Sequence, residues 1–271
     1  MQSKLSITAI VLTLNEQSHI VECLRSLSFC KQVLVVDSGS RDATCQLARQ
    51  NGAEVLELQW EGFAAQRNKA LAHATNDWIL SIDADERVTP ELEAELEQLF
   101  TTDSERAAAY TMPRKTIHFG RWIRHGGWYP NRLVRLFRKS QGSWEGGELH
   151  EKWETPGKVG GLGGDILHFS FSDFSDQVER NNLYSTLGAQ KLMRQGRKFT
   201  FIKLVAKTLS KFIETYILKR GFLDGYPGLF ISVSAAYSVF LKWAKLWELE
   251  RVSDSRCERS EAISEQIPEK N

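Results

Sequence analysis

Two textures of apolar and polar positions alternate along the N-terminal third of the chain. Ile7–Leu14 and Gln32–Asp37 are near-continuous apolar runs bounded by polar turns, the pattern of strands covered on both faces. Between them, Ser18–Ser28 sets Ile20, Val21, Leu24 and Leu27 on one helical face, so the opening unit reads as strand, helix, strand. Asp42 is placed to cap a helix through Gln50, Gly52 suits its stop, and Glu54–Gln59 alternates as a third strand. Gly62–Ala74 predicts a further helix and Trp78–Ile82 a fourth buried strand. Thr89 and Pro90 then form the cap and first residue of a helix carrying Leu92, Leu96 and Leu99. Strands separated by helices in this order imply an α/β fold with a Rossmann-like, mostly parallel, doubly wound sheet.

From Ala107 the helical period disappears, and short strands rich in Gly, Trp and Arg take over. A first domain over 1–172 is therefore expected, with a nucleotide-binding half over 1–106 and a half for the second substrate over 107–172. Helices resume over 173–250, and 251–271 is a polar tail read as frayed. In the C-terminal stretch, Lys203, Lys207 and Lys211 recur every fourth residue. Ile202, Val205, Leu209, Phe212, Ile213 and Tyr216 fall largely on the other side. A basic amphipathic helix followed by the Trp- and Phe-rich ISVSAAYSVFLKWAKLWELER suits a membrane interface; a helical cap or a dimer contact is the alternative.

Composition narrows the picture further. The 271 residues carry a net charge of +1, so no overall field points to nucleic acid. The four cysteines (Cys23, Cys30, Cys45 and Cys257) form no CxxC pair, and a reducing cytosol is the default. Residues 4–14 superficially look like a signal core but run into Asn15-Glu16 without a small-residue cleavage site, so they are read as the first strand. No segment reaches ~20 uncharged residues, and a spanning helix is not expected.

The chemistry gathers at strand ends. WILSIDADE places Asp83 and Asp85, with Ala84 between them, where an open α/β sheet binds its ligand. Two carboxylates there repel, so a divalent cation is their natural partner and a nucleotide diphosphate would supply the remaining oxygens; a solvated turn is the plainer reading. VVDSGSRDAT ends the second strand on Asp37, followed by Ser38 and Gly39, which suit a base and ribose or an ordinary capped turn. No GxGxxG follows the first strand, which argues against a dinucleotide. GFAAQRNKA presents Arg67 at a helix start. In GGELHEKW, read as a strand, Glu148 and His150 share one side and Glu151 takes the other. Arg114–Lys139 interleaves arginines with aromatics. Arg124, Trp128, Tyr129 and Arg132 are its candidates for an anionic glycolipid acceptor, since guanidinium forks read phosphates and flat rings stack on sugars. No nucleic-acid module is present in the pattern.

TLNE, VVDSGSRDAT, QRNKA and SIDADE, in that order, resemble the family 2 glycosyltransferases over roughly Ile7–Ser170. The resemblance implies a GT-A fold, a nucleotide-sugar donor, Mg²⁺ or Mn²⁺, and inversion at the anomeric carbon. It implies that Leu14, Asn15, Glu16 and Asp37 line the base and ribose pocket, that Arg67 is near the base and Asp83 near the ribose, and that Asp85 ligates the metal. It implies an acidic base in the GGELHEKW region, for which Glu151 is chosen with Glu148 in reserve, and a late histidine, His168, at the metal or diphosphate. Including RLFRK, the HE pair and GFLDG, the chain is similar to the small membrane-associated glucosyltransferases of the bacterial lipopolysaccharide inner core. That implies transfer of a hexose, glucose from UDP-glucose, to a lipid-linked heptose by a cytoplasmic enzyme peripheral to the inner membrane. Open alternatives are an undecaprenyl- or protein-linked acceptor, a nucleotidyltransferase, and a non-catalytic nucleotide-sugar binder.

Overall fold

The computed structural model describes residues 4–102, 107–146, 151–170 and 174–264, with side chains to 252. The chain divides into two compact units, one of residues 1–117 and 128–170, the other of 118–127 and 171–271.

In the first unit the strands and helices alternate as β1 (Leu5–Thr13), α1 (Ile20–Arg25), β2 (Cys30–Asp37), α2 (Thr44–Gln50), β3 (Glu54–Glu57), α3 (Phe63–Leu71), β4 (Trp78–Asp83), β5 (Glu86–Val88) and α4 (Pro90–Thr102). There follow β6 (Ala109–His118), β7 (Arg121–Trp122), β8 (Asn131–Arg138), β9 (Ser143–Glu145), β10 (Lys152–Glu154), β11 (Val159–Gly161) and β12 (Ile166–His168), of which β7 belongs to the second unit. The main sheet runs β3-β2-β1-β4-β8-β6-β12-β5, with β11 also on β6. β1 pairs in parallel with both β2 and β4, so the strand order reverses at β1 and opens a crevice at the carboxyl ends of β1 and β4. The apolar runs read from sequence are the core: Ile7, Val11, Val35, Leu80 and Ile82 are buried on one side of the sheet, and Ile10, Leu34, Ile79 and Phe137 on the other. α4 begins as expected, the Thr89 hydroxyl accepting the Leu92 N–H at 3.3 Å.

The sheet is mixed where the sequence loses its period. β8 lies antiparallel to both β4 and β6, and the antiparallel pair β9–β10 forms a separate two-stranded sheet. Trp144 and Trp153 from that pair cover Phe137, whose ring stacks on Trp153 at 3.9 Å.

The second unit contains α5 (Phe174–Arg194), α6 (Phe201–Phe212), a π-helical segment (Ile213–Leu218), a 3-10 turn (Gly221–Asp224) and α7 (Gly225–Ser264). The backbone of α7 stays helical through Ser264, beyond Arg251 where the sequence reading places a frayed tail; polarity removes a packing stripe but leaves helix propensity intact. Gly221–Val252 is long and apolar enough to cross a membrane by length and composition, although the sequence predicts no spanning helix. Lys242 interrupts the uncharged run, yet the segment around it stays apolar on average. One side of α7 packs inward through Trp243 and Leu246, which cluster with Ala189 of α5.

Candidate active site

The crevice at the β1 and β4 ends is built from two laced loops and an acidic turn. After β1, Asn15 adopts a positive φ of 55° and half-exposed Leu14 precedes it. The Asn15 N–H donates to Ser40 Oγ at 2.8 Å, and Asn15 Oδ1 accepts from the Arg41 N–H at 2.8 Å. The Glu16 N–H donates to Thr44 Oγ1 at 2.8 Å. Asp37, buried at the end of β2, accepts from the N–H groups of Gly39 and Ser40 at 2.9 and 2.8 Å. Gln66 donates to Ser38 Oγ at 3.1 Å, tying the β2 loop to α3. Leu14, Asn15, Glu16, Asp37, Ser38 and Gly39 therefore share one rim, as does the helix that carries Arg67.

Asp83 ends β4, and its carboxylate is gripped from two sides. Arg67 Nη2 donates to Oδ1 and Arg135 Nη2 to Oδ2, each at 2.8 Å. Arg135 also donates to Glu86 Oε1 at 2.6 Å, while Glu86 Oε2 accepts the Asp83 N–H at 3.0 Å. Arg114 approaches Glu86 at 3.4 Å. Burial works against the charge on Asp83, but the Arg135 and Arg67 guanidiniums outweigh it and hold its carboxyl well below the usual range. Of the two carboxylates in the Asp83-Ala84-Asp85 turn, one is thus already neutralised by the protein.

Asp85 has a different neighbour. His168 Nε2 lies 3.2 Å from Asp85 Oδ2, and its Nδ1 is 3.1 Å from the Thr116 hydroxyl. The register of β12 brings this about, pairing His168 with Thr116 of β6 and with Glu86 of β5. With Thr116 accepting from Nδ1–H, Nε2 would present a lone pair beside a carboxylate oxygen. Among the described residues no three His, Cys, Asp or Glu side chains converge to hold a metal. The Asp85 carboxylate and the His168 imidazole, 3.2 Å apart, are donor types that a divalent cation accepts, and they are the pair here that could hold one.

Glu151 lies in the connection just before β10, so the strand pleat used to orient it does not apply there. Its Oε1 is 3.7 Å from Arg67 Nε, so Glu151 and Asp83 both neighbour one guanidinium. Glu148 falls outside the described residues. Two features absent from the sequence reading hold this corner. Asn68 Nδ2 donates to Trp144 O at 2.9 Å and Asn68 Oδ1 accepts the Trp144 N–H at 3.0 Å, while Arg67 lies over the Trp144 ring at 4.7 Å.

The basic segment is not one surface. Arg135 is buried under the acidic turn, Arg138 stacks on Trp78 at 4.8 Å, and Lys139 donates to Ala74 O at 2.6 Å. Arg132 donates to Leu162 O at 2.9 Å and the Tyr129 hydroxyl to Asp165 Oδ1 at 3.0 Å, so these two flank one loop; half-buried Trp128 precedes them. Arg124 belongs to the second unit, its N–H donating to Asp224 Oδ2 at 3.1 Å. Arg135 could have been found: a charge inside the apolar strand Leu133–Phe137 demands a buried partner. For Asn68 and Thr116 the sequence carries no such signal.

A largely parallel sheet with an acidic turn at its switch point and a mixed β8–β6–β12 extension is the GT-A-like fold expected from the sequence. The family described as glycosyl transferase family 2 matches residues 8–161, and the chain belongs to that family. It is 30% identical to an uncharacterized glycosyltransferase of Rickettsia typhi, over 90% of this chain and 87% of that protein. It is 28% identical to the lipopolysaccharide core biosynthesis glycosyltransferase LpsC of Rhizobium meliloti, over 90% of this chain and 93% of that protein. Glucosyl-3-phosphoglycerate synthase from Mycobacterium tuberculosis, solved with Mn²⁺, UDP and phosphoglyceric acid, shares 23% identity. That likeness spans 42% of this chain and 43% of that one, with a TM-score of 0.32.

Proposed function

We propose that this glycosyltransferase moves a hexose, glucose from UDP-glucose, onto a lipid-linked heptose of the lipopolysaccharide inner core, inverting the anomeric centre at the cytoplasmic face of the inner membrane. The observation that carries the reading is the division of labour in the acidic turn: Asp83 is held by Arg67 and Arg135, while Asp85 faces His168. The relation to LpsC, over nearly the whole of both chains, supports a core-type acceptor.

In this reading the loops after β1 and β2 take the base and ribose, with Asp83 held rigid near the ribose by its two arginines. Asp85 and His168 would hold Mg²⁺ or Mn²⁺, which when bound neutralises the departing diphosphate. Glu151 receives the proton of the acceptor hydroxyl as that oxygen attacks the anomeric carbon from the face opposite the diphosphate. Arg67, 3.7 Å away, keeps Glu151 oriented. Trp128, Tyr129 and Arg132 offer stacking and anion contacts to the acceptor.

A panel of nucleotide sugars is offered with core-truncated lipopolysaccharide, and UDP release and labelled product are followed. UDP-glucose supporting transfer to the heptose is the expected result. Transfer only to an undecaprenyl-linked or protein-linked glycan rejects the acceptor, and binding of nucleotide sugar without any turnover rejects the enzymatic reading.

A further inference from the structure

We infer that Phe169 is a positioning residue for the Asp85 and His168 pair, held in that role by the guanidinium of Arg87. The inference deepens the transfer reading, on which it rests for the cation that the pair would hold.

The backbone sets the relation. β12 lies antiparallel to β5, pairing Leu167 with Arg87 and His168 with Glu86. One step further on, the Phe169 N–H donates to Asp85 O at 2.9 Å. Phe169 thus follows one candidate metal donor in the chain and is hydrogen-bonded to the backbone of the other.

The side chain has partners of its own. Standing opposite Asp85, Phe169 is the diagonal neighbour of Arg87, a separation that long and aromatic side chains span. Arg87 Cζ lies 3.9 Å from the centre of the Phe169 ring, so the planar cation covers an aromatic face. Arg87 Nε is buried without a hydrogen-bond partner among the described residues, and the ring is what meets the guanidinium instead. The His19 imidazole, just ahead of α1, stacks on the same ring with centres 6.2 Å apart. Burial and then the Arg87 charge hold His19 below its ordinary value, so at neutral pH it meets the ring uncharged and Arg87 is the cation of the group. The His19 N–H donates to Glu16 O at 3.0 Å, and one phenyl ring thereby joins the loop after β1, the acidic turn and the end of β12.

Chemistry decides what this joint does. Asp83 is fixed through its own oxygens, by Arg67 and Arg135. In the transfer reading Asp85 keeps its oxygens for a cation, so it has to be fixed in a way that uses up no donor atom. The Phe169 N–H on the Asp85 carbonyl does this, and the same residue anchors the strand end that carries His168. A leucine would fill the volume without offering the guanidinium a face, whereas a tyrosine would supply both.

Calorimetric titration of Mn²⁺ into the full-length protein with UDP, together with hydrogen exchange at the residue-169 amide, tests the joint. Phe169→Leu and Arg87→Met should each weaken Mn²⁺ binding about tenfold. The double variant should be no weaker than either alone, because the two side chains act as one unit. Phe169→Tyr should keep the wild-type affinity. Exchange at the residue-169 amide should rise in Phe169→Leu and in Arg87→Met, while UDP affinity in EDTA stays unchanged. Lower urea stability in Phe169→Leu at unchanged Mn²⁺ affinity would make the ring a packing residue only and overturns the inference, as does additive weakening in the double variant. If the wild type transfers glucose all the same, the transfer reading survives that failure. Mn²⁺ binding that the variants weaken, in a protein that transfers no sugar, rejects the transfer reading and leaves the joint standing. A wild type that binds no Mn²⁺ overturns the joint together with the metal role of Asp85.

Discussion

Arg135 shows how a single side chain sets the electrostatics of the site. Its guanidinium bridges Asp83 and Glu86, and both it and Glu86 are buried. Truncating it removes the counter-charge that the two carboxylates share, leaving Asp83 with Arg67 and Glu86 with the more distant Arg114, so Arg135→Met should cost about 3–5 kcal/mol in urea unfolding, and Arg135→Lys should not restore the fork. The pH dependence follows from the lowered Asp83 value. A carboxyl whose folded pKa lies below its unfolded one adds stability that is complete above the unfolded value, about 3.9, and is lost as pH falls through the folded one. The part of the stability deficit of Asp83→Asn that this lowering supplies should therefore be complete at neutral pH and shrink as the pH falls below about 4, as followed by denaturant titration at each pH. Glu151 is tested differently. As the base it should, when changed to Gln, lower kcat by about 10²–10⁴-fold with little change in the KM for donor. An equal loss in kcat and donor affinity would assign it to binding instead.

Between elements, the important joint is that of α3 with the β9–β10 pair. Asn68 forms two hydrogen bonds with the Trp144 backbone, and one turn of α3 thereby carries both Arg67 and the tie to the segment that leads into Glu151. Removing the amide strands a part-buried backbone donor and acceptor, at about 1–3 kcal/mol. Asn68→Ala should accordingly raise hydrogen exchange at Ser143–Glu145 and reduce turnover, while exchange in β1 and β4 stays at wild-type rates. Wild-type protection at β9 in this variant would show that the Trp144, Trp153 and Phe137 stacking alone holds the pair.

For the whole molecule, the strand order β3-β2-β1-β4 creates the crevice, and the return of β12 beside β6 carries His168 to Asp85. Neither residue makes a metal site alone. Chelation with EDTA should abolish UDP release, and added Mn²⁺ or Mg²⁺ should restore it; Asp85→Ala and His168→Ala should each weaken Mn²⁺ binding measured calorimetrically in the presence of UDP. Activity indifferent to EDTA would remove the metal role from both residues.

What the chain determined by itself is local and periodic. A parallel strand buried on both faces reads as a continuous apolar run, so β1, β2 and β4 and the acidic pair at the end of β4 were legible from composition over a few residues. The helix start at Thr89 and Pro90 was legible for the same reason, since capping is a short-range hydrogen-bond problem. Among the eight basic residues in Arg114–Lys139 the apolar run Leu133–Phe137 marks Arg135 as needing a buried partner, but tertiary structure alone decided that the partner is Asp83, because β8 is inserted antiparallel between β4 and β6. It alone joined Asn68 to Trp144, 76 positions along the chain, and His168 to Thr116. It also left the apolar stripe of α6 facing outward, with Ile202 and Leu209 exposed, although amphipathicity reads identically for a helix packed on a core and one that is not. Such contacts depend on strand order and register, and these are set by the packing of elements far apart in sequence rather than by the period of any one of them.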